Sequence, residues 1–81
     1  MTATLPAELV EYLARQLVDE PDAVRVEQVE REGVLVLELY VAEEDVGKVI
    51  GRGGRIARAL RTVVRASAVR LDQRVLLEIV G

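Results

Sequence analysis

The 81-residue chain contains no cysteine, histidine, phenylalanine or tryptophan. Without cysteine it can build no disulfide framework, which fits a cytoplasmic protein. Without Cys and His the usual transition-metal ligands are missing, and so is the commonest general base. Ser67 is the only serine and has no histidine to activate it, so a serine-type triad is excluded. The two aromatic residues, Tyr12 and Tyr40, make no stacking platform of the kind an RRM or an aromatic OB-fold uses. No apolar run approaches the roughly 18 residues that would read as a membrane span. Residues 1–6 lack the basic start and apolar stretch of a signal peptide. The chain therefore reads as a non-enzyme that needs no cofactor and no metal.

What is present is about half apolar and nearly a third charged, the composition of a small globular domain near the size where one core only just suffices. No linker, repeat or low-complexity segment divides residues 1–81. The net charge of −3 argues by itself against nucleic acid, but its distribution is uneven. Residues 1–47 carry 3 basic and 12 acidic side chains, a net of −9, and residues 48–81 carry 8 and 2, a net of +6. Such asymmetry points to a positive face on an acidic body; the alternative is that the halves interleave in space and neutralise one another.

Leu9, Val10, Leu13, Leu17 and Val18 recur at helical spacing behind Pro6, predicting a helix over about 5–19 that the Glu20-Pro21-Asp22 run ends. Segments 24–30 and 34–41 are rich in β-branched and aliphatic residues around Arg31-Glu32-Gly33, a hairpin pattern. In the second strand Leu35, Leu37, Leu39 and Val41 share one face. Val34, Val36, Glu38 and Tyr40 share the other, a mixed face that is either partly exposed or covered by a partner. Three acids, Glu43 to Asp45, open a short helical segment ending near Ile50. Ile56, Leu60, Val63 and Val64 make the stripe of another helix, and residues 74–80 alternate as a last strand. The fold class is α+β in the order α-β-β-α-α-β.

The most informative run is Val46-Gly47-Lys48-Val49-Ile50-Gly51-Arg52-Gly53-Gly54-Arg55-Ile56. Glycines let a backbone approach a phosphate closely and turn its N–H groups toward the oxygens. Arg52, Arg55 and Lys48 add positive charge, and the start of the following helix favours anions. Val49, Ile50 and Ile56 are candidates for an apolar wall against bases. Lys48 through Ile56 are thus the candidate nucleic-acid contacts. Arg58, Arg61 and Arg65 lie opposite the apolar stripe, where they either touch the ligand or are merely solvated. Arg70 and Arg74 flank a connector and read as solvated or paired. The run is not a P-loop, since no Gly-Lys-Ser/Thr follows at the required spacing. Nor is it a dinucleotide fingerprint, because it does not directly follow a strand.

Placed between the second and third helices, Ile50 followed by Gly51-Arg52-Gly53-Gly54 resembles the Gly-x-x-Gly loop of a type II KH domain. The likeness covers essentially the whole chain, and the stretches Gly47 to Gly51, Gly54 to Ala57, Arg61 to Val64 and Arg74-Val75 are similar to the small single-domain bacterial KH proteins of the KhpA type. The resemblance implies a three-stranded mixed sheet packed against three helices, and a loop that clamps about four nucleotides of single-stranded RNA. It implies that the last strand and the hairpin tip at Arg31 to Gly33 form the groove's other side. It further implies an RNA chaperone or post-transcriptional regulator linked to cell-envelope synthesis and cell shape, pairing with itself or with a larger KH protein of the KhpB (Jag, EloR) type. One departure is Gly53, where many family loops carry a side chain; the loop is freer here and costs more to order. A competing reading is a protein-interaction adaptor that keeps the fold without using the groove on RNA.

Overall fold

The computed structural model describes residues 3–81; the leader expectation for residues 1–6 falls partly outside them. Helix α1 (Leu5–Leu17) starts at Thr4, whose hydroxyl accepts the Ala7 N–H at 3.4 Å, with Pro6 in the first turn, where its missing N–H costs nothing. The same threonine donates its backbone N–H and its hydroxyl to Gln28 Oε1 at 2.8 and 2.7 Å. The helix is therefore capped and fastened to the sheet by one residue. It ends two residues earlier than the periodicity predicts. Val18 is already extended (φ −99°, ψ 162°), and the Glu20 N–H is taken by the Asp45 carboxylate at 3.1 Å.

Strands β1 (Arg25–Arg31) and β2 (Val34–Tyr40) pair antiparallel through a two-residue turn. Glu32 and Gly33 both have positive φ (52° and 81°), the combination that matches the twist of a tight hairpin. Helices α2 (Val46–Ile50) and α3 (Arg55–Ser67) follow, and β3 (Val75–Val80) returns parallel to β2. The sheet order is β1-β2-β3, so β2 is central and β3 an edge. Leu37, Leu39, Val10, Ala14 and Val49 are completely buried, with Leu35, Leu60, Val64 and Leu77 beside them. The order of elements and the three-stranded mixed sheet agree with the expected KH-type architecture. No described helix is long and apolar enough to cross a membrane.

The sheet's outer face explains the mixed pattern on β2. Pairing brings Glu27, Glu38 and Glu78 into one row across the three strands, an arrangement that repels itself. Arg31 forks over the row, Nη2 to Glu38 Oε2 at 3.0 Å and Nη1 to Glu78 Oε1 at 3.4 Å. Arg25 pairs with Glu27 at 3.0 Å and lies 4.2 Å above the Tyr40 ring. The Tyr40 hydroxyl donates to Glu38 at 3.1 Å, which holds the phenol above its ordinary pKa. Val36, on this open face, is only 5% exposed. The face is closed by its own ion pairs. Arg31→Ala is expected to uncover Val36 and restore the carboxylate repulsion, lowering stability by about 1 kcal/mol and Tm by roughly 5 °C, with the loss shrinking in high salt. Thermal melts at two salt concentrations check this; an unchanged Tm in low salt would show the strap contributes nothing.

Candidate nucleic-acid interface

The glycine run forms a tight connection between α2 and α3. Its approach is fixed from below. A single helical turn over Glu43–Asp45 buries Asp45, which is 1% exposed. Burial would push that carboxyl's pKa up, but the N–H groups of Glu20 and Asp19 and the Lys48 ammonium outweigh it and hold the group below the usual carboxylate range. Val49 is fully buried in the core. The short helix α2 is thereby pinned at both ends.

Burial also corrects one expectation. Val49 spends its side chain on the core and offers no surface to a base, so the apolar wall near the loop falls to Ile50, 38% exposed, and to partly buried Ile56. Lys48 is exposed enough to reach a ligand, but its Nζ sits 3.2 Å from Asp19 Oδ2 and 3.3 Å from Asp45 Oδ1. Those two hydrogen bonds raise its pKa, so it is a charged group with partners already in place.

Gly51 closes α2 with φ 77° and ψ 171°. A Cβ there would collide with Ile56, lying 2.9 Å from its backbone N and Cβ and closer still to Cγ1. Residues Arg52–Gly54 make one tight turn closed by the Gly54 N–H on Gly51 O at 3.1 Å. Gly53 and Gly54 have φ of 62° and 76° with open space around them. Helix α3 then begins with no side chain over its first turn. Its N–H groups and the positive end of its dipole are turned toward the loop, beside the exposed Arg52 and Arg55.

The arginines settle whether the two halves of the chain neutralise one another. Arg15, Arg25, Arg31 and Lys48 are all in ion pairs. Among the described residues, Arg52, Arg55, Arg58, Arg61, Arg70 and Arg74 have no ion-pair partner, and Arg65 reaches only the Thr62 hydroxyl at 3.3 Å. Apart from Lys48, the positive charge of residues 48–81 therefore stands free, and Arg55, Arg58, Arg61 and Arg65 carry it along α3, which buries Ala57, Leu60 and Val64.

At the far end of α3 lies an open groove of about 600 Å³ between that helix and the edge strand β3. Val64, Ala68 and Val69 give it apolar walls, and Arg61, Arg65 and Arg74 line it together with the acids Asp72 and Glu78. Val69 is 78% exposed. With about 1.5 Å of rise per residue, Arg65 stands some 15 Å along the helix from Arg55. The loop and the groove are two ends of one basic track. The hairpin tip does not line the groove: Gln73 donates to Glu30 Oε1 at 2.6 Å and to Gly33 O at 3.2 Å, tying the tip to the connector that forms the groove's end. Val69 carries no signal in the sequence, because it belongs to the connector turn Val69–Leu71 that only the tertiary fold sets beside β3.

Comparison with known proteins gives the same reading of the architecture. The family profile described as KhpA/KhpB, KH domain, matches residues 7–79. The RNA-binding protein KhpA of Clostridium acetobutylicum is 53% identical over 73 residues, 90% of this chain and 97% of that protein. Its namesake in Treponema pallidum is 54% identical over 77 residues, 95% of this chain and 96% of that protein. Among solved structures, the Era protein of Aquifex aeolicus bound to GDP and aluminium fluoride superposes with a TM-score of 0.61 at 24% identity over 93% of this chain. The chain spans 29% of that protein's length, so this likeness concerns the fold alone. The match over nearly the whole chain, the glycine loop between α2 and α3 and the parallel return of β3 lead to one assignment: the chain belongs to the KhpA/KhpB KH-domain family.

Proposed function

We propose that the protein binds single-stranded RNA, holding the phosphates at residues 51–54 and laying the following nucleotides along α3 into the groove beside β3. The observation that carries this is the unbroken set of unpaired arginines running from Arg52 at the loop to Arg65 and Arg74 at the groove. Relatives sharing about half of their residues with it are named RNA-binding proteins. The roles divide by chemistry. Arg52, Arg55 and the loop N–H groups meet phosphate oxygens; Ile50, Ile56 and Val69 meet bases. Phosphate contacts position a strand without reading it, and an aliphatic wall lacks the donors and acceptors that distinguish bases, so discrimination among them is weak.

A groove this short holds few nucleotides, and pairing two such domains raises affinity by avidity. Together with the family resemblance, this supports a cytoplasmic RNA chaperone or post-transcriptional regulator that acts as a homodimer or with a larger KH protein of the KhpB (Jag, EloR) type, in control of cell-envelope synthesis and cell shape. The adaptor reading rests on the acidic N-terminal half and the aliphatic second face of the hairpin; on that face Val36 is only 5% exposed and the carboxylates are held by Arg31 and Arg25.

A salt series tests the phosphate-contact picture. Log affinity for a labelled single-stranded RNA is expected to fall linearly with log salt at a slope near −2, the value for about three released counterions. A flat dependence would contradict binding through phosphates.

A further inference from the structure

Lys48 is the single lysine of the chain and the one cation of the glycine run that is already engaged. Its ammonium bridges two carboxylates of different character. Asp45 is buried and structural, satisfied by the N–H groups of Asp19 and Glu20 as well as by Lys48. Asp19 is 79% exposed at its side chain, against 43% for Lys48. The Asp45 carboxylate thus holds the backbone at Asp19 and Glu20, and in doing so places the Asp19 side chain 3.2 Å from Lys48 Nζ. Residues from the end of α1 reach across to the helix that delivers the clamp.

We propose that Asp19 is a positioning residue that restrains the clamp: it occupies Lys48 and keeps its charge from a phosphate at the glycine loop. The inference rests on the RNA-clamp reading given above. Lys48 lies one helical turn before Gly51, and Asp45 and Asp19 hold its Nζ back over the start of α2. An ammonium has three donors. In the free protein two of them serve Asp19 and Asp45. When Asp19 is removed, Asp45 still anchors Lys48, and the donor that served Asp19 is released for a phosphate to compete for. Because the Asp19–Lys48 pair is exposed, giving it up costs the fold little. Its presence makes an incoming phosphate compete with a carboxylate for the same nitrogen. Gly53 makes the loop freer and Asp19 makes it less positive, so this chain's clamp is tuned toward loose, exchangeable contact.

The test is Asp19→Asn, with Lys48→Gln, the double variant and Asp22→Asn as companions, in fluorescence anisotropy with labelled single-stranded RNA across a salt series. Asp22 is an exposed acid of the same connector with no ion pair among the described residues, and it reports the effect of merely removing a negative charge. Asp19→Asn is expected to tighten binding about two- to fivefold at low salt and to steepen the log–log salt slope by about 0.7, one further phosphate contact on a single strand. The gain should vanish in Asp19→Asn/Lys48→Gln, and Asp22→Asn should leave the slope unchanged. Binding by Asp19→Asn equal to or weaker than wild type would overturn the proposal. So would a gain that survives in the double variant or is matched by Asp22→Asn, since then Lys48 is not its route. Arg52→Asp/Gly53→Asp, run in the same series, separates the two levels. If it binds as tightly as wild type, the clamp reading fails and this inference with it; if it loses binding while Asp19→Asn is silent, only the restraint by Asp19 is refuted.

Discussion

Alanine at Gly51 is expected to cost about 3 kcal/mol of stability, lowering Tm by roughly 10–20 °C, and to abolish RNA binding in whatever fraction remains folded. Two costs add. The backbone at φ 77°, ψ 171° lies in a region that is essentially glycine-only, worth about 1–3 kcal/mol to any other residue. The new methyl would also press on Ile56, against its backbone N as well as its side chain. Ile56 cannot step aside cheaply, because it lies in the first turn of α3 and packs against the core. Relief therefore requires the loop to open, which separates the Gly51 carbonyl from the Gly54 N–H. Gly54→Ala provides the comparison. Its left-handed backbone (φ 76°, ψ 15°) costs an alanine only about 1–2 kcal/mol, and nothing stands within 4 Å of its Cβ. Thermal unfolding followed by circular dichroism decides between them. A Gly51→Ala melt indistinguishable from that of Gly54→Ala would contradict the close-approach account.

Features of the fold written in local chemistry are legible in the sequence. Pro6 marks the start of α1, Arg31-Glu32-Gly33 the hairpin turn, and the glycines at 51, 53 and 54 the connection from which α3 springs. What escapes a linear reading depends on partners far along the chain. The end of α1 is set by Asp45 capturing the Glu20 N–H, not by the apolar period, which continues through Val18. Helix α2 is only five residues long, too few for a period to show which side chain turns inward, so Val49 reads equally as wall or as core. The pairing of Lys48 with Asp19 joins two segments that neither composition nor spacing brings together. The arginines of α3 pose the opposite problem. Their helical spacing is plain, but whether acids would meet them depends on the tertiary arrangement, and the structure leaves them unpaired. Of the groove, the half supplied by α3 could be anticipated. The half supplied by Val69 follows only from where the fold sets the connector after α3 beside β3.

Replacing Arg52 and Gly53 together by aspartate tests the central claim most directly, that residues 51–54 hold the RNA. Neither position carries part of the core: both are exposed. A Cβ at Gly53 meets nothing within 4 Å, and aspartate takes a left-handed backbone more readily than most residues. The fold should therefore survive with a circular dichroism spectrum like that of wild type. At the ligand the change is large. One cation is lost and two anions appear where phosphates must approach, so affinity for labelled single-stranded RNA in fluorescence anisotropy should fall more than about tenfold at low salt. The log–log salt slope should also become shallower by at least one contact, about 0.7. A folded variant that loses binding in this way establishes the loop as the clamp. A folded variant that binds as tightly as wild type, with the same salt slope, would place the RNA on another face and contradict the account.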